Sequence, residues 1–252
     1  MTNCSKVGRE AFTLLDKPFF YLLGKVSGAL EAAGVGYALY GGCGLQAHFA
    51  NKLAGQGSIA DKPELAGYFR PTSDYDFAVS TQATDSAIKA ALEVLQDEEK
   101  VFEDDREGES YKTIFERFGV RRPRIRVKRN TTTPYTEEQN SLITMTFESD
   151  DLHDRMIKEG QRTRLVYPPL QINVNLAPLE YTLAGKMIRL GVDRDVGDML
   201  NIIEVFGGDI DVDKVRQMLV AEKAGDGTTM RILRGGSGRL QKYLKDIEDV
   251  EV

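Results

Sequence analysis

The stretch that decides the fold reads RPTSDYDF and spans residues 70–77. It carries Asp74 and Asp76, and the apolar run FAV begins directly after them. On a β-strand, residues i and i+2 point to the same face, so the two carboxylates would lie side by side and repel each other. The pair is therefore either a solvated turn or a site built to hold a metal ion.

The stretch upstream supplies a second feature, a glycine pair between a strand and a helix. GVGYALYGG predicts a short buried strand ending at Gly41-Gly42, and GLQAHFANKLAG predicts a helix right after the glycines. Glycines there let the backbone approach a phosphate, and the helix N-terminus offers unpaired N–H groups. Mg²⁺ prefers one or two carboxylates together with phosphate oxygens. These elements together predict a device for attack on the α-phosphate of a nucleotide, with Asp74 and Asp76 holding the metal ion.

The rest of the chain predicts a mixed part followed by a helical part. Apolar residues at helical spacing predict helices over residues 6–34 and 84–100, and the Gly-rich segment 55–69 predicts a loop. Five runs are β-like: SYKTIFERFG, RIRVKRN, NSLITMTFES, TRLVYPP and LQINVNL. The later helical segments are LEYTLAGKMIRLG, DVGDMLNIIEVFG, VDKVRQMLVAEKAG and residues 236–248. We therefore predict an α+β fold, with a mixed-sheet catalytic domain over residues 1–176 and a helical domain over residues 177–252.

Composition indicates a cytoplasmic globular protein. The 252 residues are 41% hydrophobic and 29% charged, and no apolar run approaches the ~18 residues of a membrane span. No signal peptide is visible, and two cysteines are too few for a disulfide framework. The net charge of −6 disfavours general polyanion binding. The basic strip RRPRIRVKRN, residues 121–130, is either a solvated edge strand or a contact for RNA or a triphosphate tail.

Two blocks of sequence carry a resemblance to a known family. Gly41-Gly42 followed by R-x-T-x-D-x-D at residues 70–76 resembles the signature of polymerase-β-type nucleotidyltransferases. More closely it resembles the AbiEii-type nucleotidyltransferase toxins, whose relatives include the MenT toxins. The block at residues 179–202 is similar to the late motif of that family. Its matching residues are Glu180, Lys186, Arg194, Asp195 and Asp198.

The resemblance implies a role for each matching residue. Asp74 and Asp76 would hold Mg²⁺, with Mn²⁺ as the alternative ion, and an NTP such as ATP would be the substrate. Lys186 would counter the charge of the phosphates in the catalytic step. The other residues assigned to nucleotide binding are Gly41, Gly42, Arg70, Asp195 and Asp198. Residues 54–69 look like an insertion, because the spacing between the glycine pair and the aspartates exceeds that of the family.

The third carboxylate of such a site is less clearly marked. Glu148, at the end of LITMTFE, is our first choice, to complete the metal site or to help deprotonate the acceptor hydroxyl. Asp150, Asp151 and Asp195 remain alternatives.

The resemblance also implies a function. The chain would transfer NMP from an NTP to an acceptor, namely the tRNA 3′ end, as the toxin of a toxin–antitoxin pair with a cognate antitoxin. The acidic net charge favours a second hypothesis, a nucleotidyltransferase that modifies a small molecule such as an antibiotic. The insertion favours a third, an inactive nucleotide-binding or interaction module. An intact pair of repelling aspartates argues against the third.

Several of these residues also have ordinary structural interpretations. Lys186 fits a surface lysine on a helix, and Asp195 and Asp198 fit caps of the helix they precede or begin. His48 and His153 are isolated in sequence and fit structural roles.

Overall fold

The computed structural model describes residues 13–54, 66–72, 74–80, 82–97, 102–104, 116–117, 120–121, 124–129, 142–188 and 193–225. The helices are α1 (Lys17–Ala32), α2 (Gly41–Ala54), α3 (Thr84–Asp97), α4 (Asp151–Glu159), α5 (Leu179–Ile188), α6 (Asp193–Phe206) and α7 (Val212–Gly225), with a 3₁₀ turn at Gly207–Asp209. The strands are β1 (Tyr37–Tyr40), β2 (Asp74–Val79), β3 (Phe102–Asp104), β4 (Glu116–Arg117), β5 (Val120–Arg121), β6 (Arg124–Arg129), β7 (Leu142–Glu148), β8 (Gln161–Tyr167) and β9 (Leu170–Leu176).

Seven strands form one mixed sheet in the order β3-β6-β7-β2-β1-β9-β8, and β4 and β5 form a separate hairpin. The central strand β2 is antiparallel to β1 and parallel to β7. In this register Tyr40 lies opposite Asp76 on one side, and Thr146 lies opposite Asp76 on the other. The predicted α+β fold with a mixed sheet is confirmed.

The two faces of β2 have opposite character. Tyr75 and Phe77 are fully buried on one face, where the Tyr75 hydroxyl donates a 2.6 Å hydrogen bond to the carbonyl oxygen of Phe19 in α1. Asp74 and Asp76 alternate with them and are half-buried on the other face. The apolar face fixes the register of the strand, since a shift by one residue would bury the carboxylates.

The first helix begins later than the sequence predicts. Residues 13–16 form a turn in which the Thr13 amide donates to the Asp16 carboxylate at 2.7 Å, and α1 begins at Lys17. A proline stands in the first helical turn, where its missing N–H is tolerated, but the same residue would clash with the carbonyl of a preceding turn. The helix predicted over residues 6–34 is therefore wrong at 13–16, and residues 6–12 lie outside the described residues.

Two further differences concern the second half of the sheet. Helix α4 was not predicted, because its nine residues carry few apolar side chains, although Asp150 caps it by accepting from the His153 amide at 2.9 Å. Strand β6 lies between β3 and β7, so the basic strip is not an edge strand. The helix predicted at residues 236–248 lies outside the described residues.

The chain forms two compact units, Met1–Ala177 and Pro178–Val252. The first unit contains the sheet and helices α1 to α4, and the second contains α5 to α7 within its described residues. Among the helices of the described ranges, none combines the length and the apolar content that crossing a bilayer requires.

Candidate active site

The site begins where β1 ends beside the aspartate pair of β2. Tyr40 is the last residue of β1 and the register partner of Asp76, so the glycine pair that follows turns directly over the aspartate strand. The sequence predicts that α2 begins after the two glycines. In the structure it begins at Gly41, so the glycines form its first turn. This connection places the orphan N–H groups of a helix N-terminus at the level of the carboxylates.

Gly41 and Asp76 are in direct contact. Gly41 has φ +66°, and a Cβ added to it would overlap Asp76 Oδ2 and lie 3.0 Å from Asp76 Cγ. Both observations favour glycine here, because other L-residues disfavour positive φ and a Cβ would force the Asp76 carboxylate to move. The predicted turn and the predicted metal-binding strand therefore meet.

Gly42 brings the first half of the RPTSDYDF stretch to the same turn. A Cβ at Gly42 would lie 3.1 Å from Thr72 Oγ1 and 3.5 Å from Arg70 Nη2. Thr72 is buried, and its hydroxyl accepts a 3.4 Å hydrogen bond from the Asp74 amide. The guanidinium of Arg70 is thus held next to a helix N-terminus, an arrangement that suits an anion such as phosphate.

Gln46 fixes this arrangement and was missed from the sequence. Its side chain is buried, donates to the carbonyl oxygen of Arg70 at 2.6 Å and accepts from the Leu14 amide at 2.8 Å. One side chain of α2 thereby ties the segment before β2 to the segment before α1. No distinct signal in the sequence marks Gln46, because the same helix also carries the polar residues His48, Asn51 and Lys52.

Glu148 makes a contact that the sequence did not predict. It lies on the same face as Asp76, but its register partner on β2 is Ala78, one pleat further along. Its Oε2 is 3.2 Å from His153 Nε2, and His153 Nδ1 is 2.6 Å from Asp150 Oδ1. The side chains of Glu148 and His153 are 11% and 5% exposed. Glu148 as third carboxylate therefore stays a prediction, and the residue directly beside Asp76 is Thr146.

The His153 ring carries a positive charge at neutral pH. Burial alone would lower the pKa of His153, but the hydrogen bonds and charges of Asp150 and Glu148 outweigh it and raise the pKa to about 9. Burial tends to raise the pKa of Asp150, yet its contacts with His153 leave that pKa below the usual value. We call Glu148, Asp150 and His153 the histidine cluster. Its ring also packs on Tyr40, with centroids 5.5 Å apart.

The late block forms a separate ionic cluster inside the second unit. Lys186 Nζ lies 3.0 Å from Asp195 Oδ1 and 2.5 Å from Asp198 Oδ2, and all three residues are buried. Glu180 accepts from the Asp211 amide at 3.1 Å, near the start of α7. The interpretation of Lys186 as a surface lysine is wrong. Its phosphate contact and the nucleotide-binding roles of Asp195 and Asp198 stay predictions.

Three further residues of the first unit fit structural roles. Burial raises the pKa of the Cys43 thiol well above its usual range, with a further contribution from Asp76, so this cysteine is a poor nucleophile. His48 Nε2 lies 2.8 Å from the carbonyl oxygen of Ala177. Of the insertion, residues 55–65 lie outside the described residues, and Phe69 is buried where the chain rejoins the fold.

Comparison with known proteins finds similarity to solved structures only. No family model and no curated protein matches the chain. Among solved structures, the chain is similar to an antigenic nucleotidyltransferase-like protein from Paracoccidioides brasiliensis, with 15% sequence identity over 88% of this chain and 95% of that chain. The TM-score is 0.44, a value at which a superposition carries no argument about activity. A function for this chain has to come from its own geometry.

Proposed function

We propose that this chain is a nucleotidyltransferase that moves a nucleoside monophosphate from an NTP to an acceptor hydroxyl and releases pyrophosphate. The observation that carries the proposal is the contact between the glycine turn and the aspartate strand. Gly41 lies against Asp76, and Gly42 lies beside Arg70 and Thr72. A phosphate-binding turn and a pair of carboxylates within one contact distance are what phosphoryl transfer requires.

The carboxylates fit a magnesium ion that is shared with its substrate. Asp74 and Asp76 lie half-buried on one face of β2. Within the described ranges, no group of three or more His, Cys, Asp or Glu side chains is arranged to hold a metal ion. Mg²⁺ is commonly bound by one or two carboxylates with phosphate oxygens and water completing the shell. Mg²⁺ would neutralise charge on the reacting phosphate, and Mn²⁺ is the alternative ion.

The protein groups around the carboxylates would bind and orient the triphosphate. The first-turn N–H groups of α2 point away from the helix and offer donors to phosphate oxygens. The Arg70 guanidinium beside Gly42 adds a charged donor, and the buried Gln46 holds the Arg70 backbone in place. These residues act by positioning and charge, which supply most of the catalysis in phosphoryl transfer.

The acceptor separates two versions of the proposal. The resemblance to toxin nucleotidyltransferases supports the tRNA 3′ end as acceptor and a cognate antitoxin as partner. The net charge of −6 instead favours a small-molecule acceptor, since a polynucleotide is repelled by an acidic protein unless a basic surface compensates. We favour the RNA acceptor and retain the small molecule as the alternative.

A labelled-nucleotide assay tests the proposal and its alternative together. The protein is incubated with each α-labelled NTP, Mg²⁺ and either total RNA or a panel of aminoglycosides, beside the double variant Asp74→Asn/Asp76→Asn. We expect label to move to RNA with the wild-type protein only. Label on an aminoglycoside instead supports the small-molecule version, and transfer that survives in the double variant contradicts both.

A further inference from the structure

The histidine cluster lies next to the candidate site, and its histidine, His153, has no part in the chemistry proposed above. Its three side chains come from the end of β7 and the start of α4. Asp150 is at once the N-cap of α4 and the partner of His153 Nδ1 at 2.6 Å. Glu148 lies against Nε2 of the same ring at 3.2 Å. Both ring nitrogens are therefore engaged, which fixes the position and the tilt of the ring.

The fixed ring is in contact with the residue that begins the glycine turn. Tyr40 and His153 pack with ring centroids 5.5 Å apart and an interplanar angle of 57°. Tyr40 is the register partner of Asp76, and Gly41 follows it immediately. A chain of contacts thus runs from Asp150 through His153 and Tyr40 to the peptide that carries Gly41.

The turn needs external support, because two glycines in a row are costly to order. Gly41 and Gly42 both lack a side chain that could anchor the peptide. Glycine loses more conformational entropy on ordering than any other residue. Packing of Tyr40 against His153 holds the end of β1, which precedes the turn. Helix α2, which follows the turn, is held by the hydrogen bond from Gln46 to the carbonyl oxygen of Arg70.

We propose that His153 is a positioning residue that, through Tyr40, fixes the glycine turn beside Asp76. Its role in catalysis rests on the proposed nucleotidyl transfer, but its role in ordering the turn does not. Glu148 and Asp150 hold the ring, the ring holds Tyr40, and the turn then presents its N–H groups to the triphosphate in one geometry.

The kinetic test compares Tyr40 and His153 variants at a temperature where all remain folded. We expect His153→Gln and Tyr40→Ala each to raise the KM for NTP about tenfold with little change in kcat, and Tyr40→Phe to retain the wild-type KM. Because both act through one contact, the double variant should be no worse than either single variant. Multiplying effects in the double variant, or a fall in kcat alone, would overturn the proposal.

A second measurement reports on the turn without any nucleotide. Cys43 is buried two residues after Gly41, so its reaction rate with a thiol reagent reports opening of the turn. In a Cys4→Ser background, we expect His153→Gln to raise that rate more than Leu30→Ala, a core variant on α1, at matched loss of global stability. Equal rates in the two variants overturn the proposal. If the wild-type protein neither binds nor transfers nucleotide but the rates still differ, the proposed function fails and the positioning role stands.

Discussion

Gly41 lies so close to Asp76 that a Cβ added at Gly41 would overlap Asp76 Oδ2. Gly41→Ala should therefore displace the Asp76 carboxylate and strain a backbone with φ +66°. We expect the free energy of unfolding to fall by more than the ~1–2 kcal/mol of positive φ alone. Urea denaturation measures the loss, and the labelled-NTP assay should show no transfer.

Gly34→Ala is the matched control for that substitution. Gly34 has φ +67°, yet a Cβ there would have nothing within 4 Å. We expect it to lose only the ~1–2 kcal/mol of backbone strain and to keep full transfer activity. Equal losses in the two variants would show that the carboxylate contact has no energetic consequence.

Asp74→Asn should stabilise the metal-free protein while abolishing its response to Mg²⁺ and NTP. Two like charges on one strand face are destabilising, and the substitution removes one of them without changing its shape. We expect a gain of ~0.2–1 kcal/mol in the unfolding free energy without metal. In a thermal-shift assay, Mg²⁺ and NTP should then raise the Tm of the wild-type protein only. A variant that is still stabilised by Mg²⁺ and NTP contradicts the metal assignment.

Lys186→Met should destabilise the second unit strongly. Its side chain is 1% exposed and its ammonium contacts both Asp195 and Asp198, so the substitution leaves buried carboxylates without this cation. Breaking such a cluster from one side costs ~3–5 kcal/mol. Urea denaturation of Lys186→Met beside Lys158→Met, at an exposed position on α4, measures the difference. If the free energy of unfolding falls by less than ~1 kcal/mol at neutral pH, the ionic cluster does not stabilise the unit as described.

The raised pKa of His153 predicts that the folded protein loses stability as the pH becomes alkaline. Its pKa is about 9 in the folded chain against 6.5 unperturbed, so the folded state holds the proton more tightly. This contribution is complete below pH 6.5, shrinks as pH rises and is lost above pH 9. Below pH 6.5 the contribution of His153 and its two carboxylate partners together amounts to ~3 kcal/mol of unfolding free energy. Unfolding free energies measured from pH 6 to 10 should fall more steeply in the wild-type protein than in His153→Gln.

The parts of the site that could be predicted from sequence were those set by local pattern. The alternation of RPTSDYDF placed Asp74 and Asp76 on one face, and the glycine pair marked the turn between β1 and α2. Both depend on periodicities of one strand or one turn. Their mutual contact, by contrast, depends on the antiparallel pairing of β1 with β2 across an intervening segment, which no local pattern encodes.

The parts that could not be predicted depend on long-range partners. His153 is isolated in sequence from any site motif, and only the fold of α4 back over β1 brings its ring to Tyr40. Gln46 looked like an unremarkable polar residue of a helix until its two hydrogen bonds were visible. Glu148 was chosen from its place at the end of LITMTFE, but its one-pleat offset from Asp76 follows from strand register alone.

The pairing of β2 with β7 has a consequence for the order in which the chain is made. Asp76 and its partner Thr146 are 70 positions apart (146 − 76), and Leu39 of β1 pairs with Leu176 of β9. During synthesis from the N-terminus, the aspartate strand remains an open sheet edge on one side until residue 148 has emerged. A nascent chain that stalls before that point would expose an apolar edge and recruit chaperones or aggregate, without ever assembling the site.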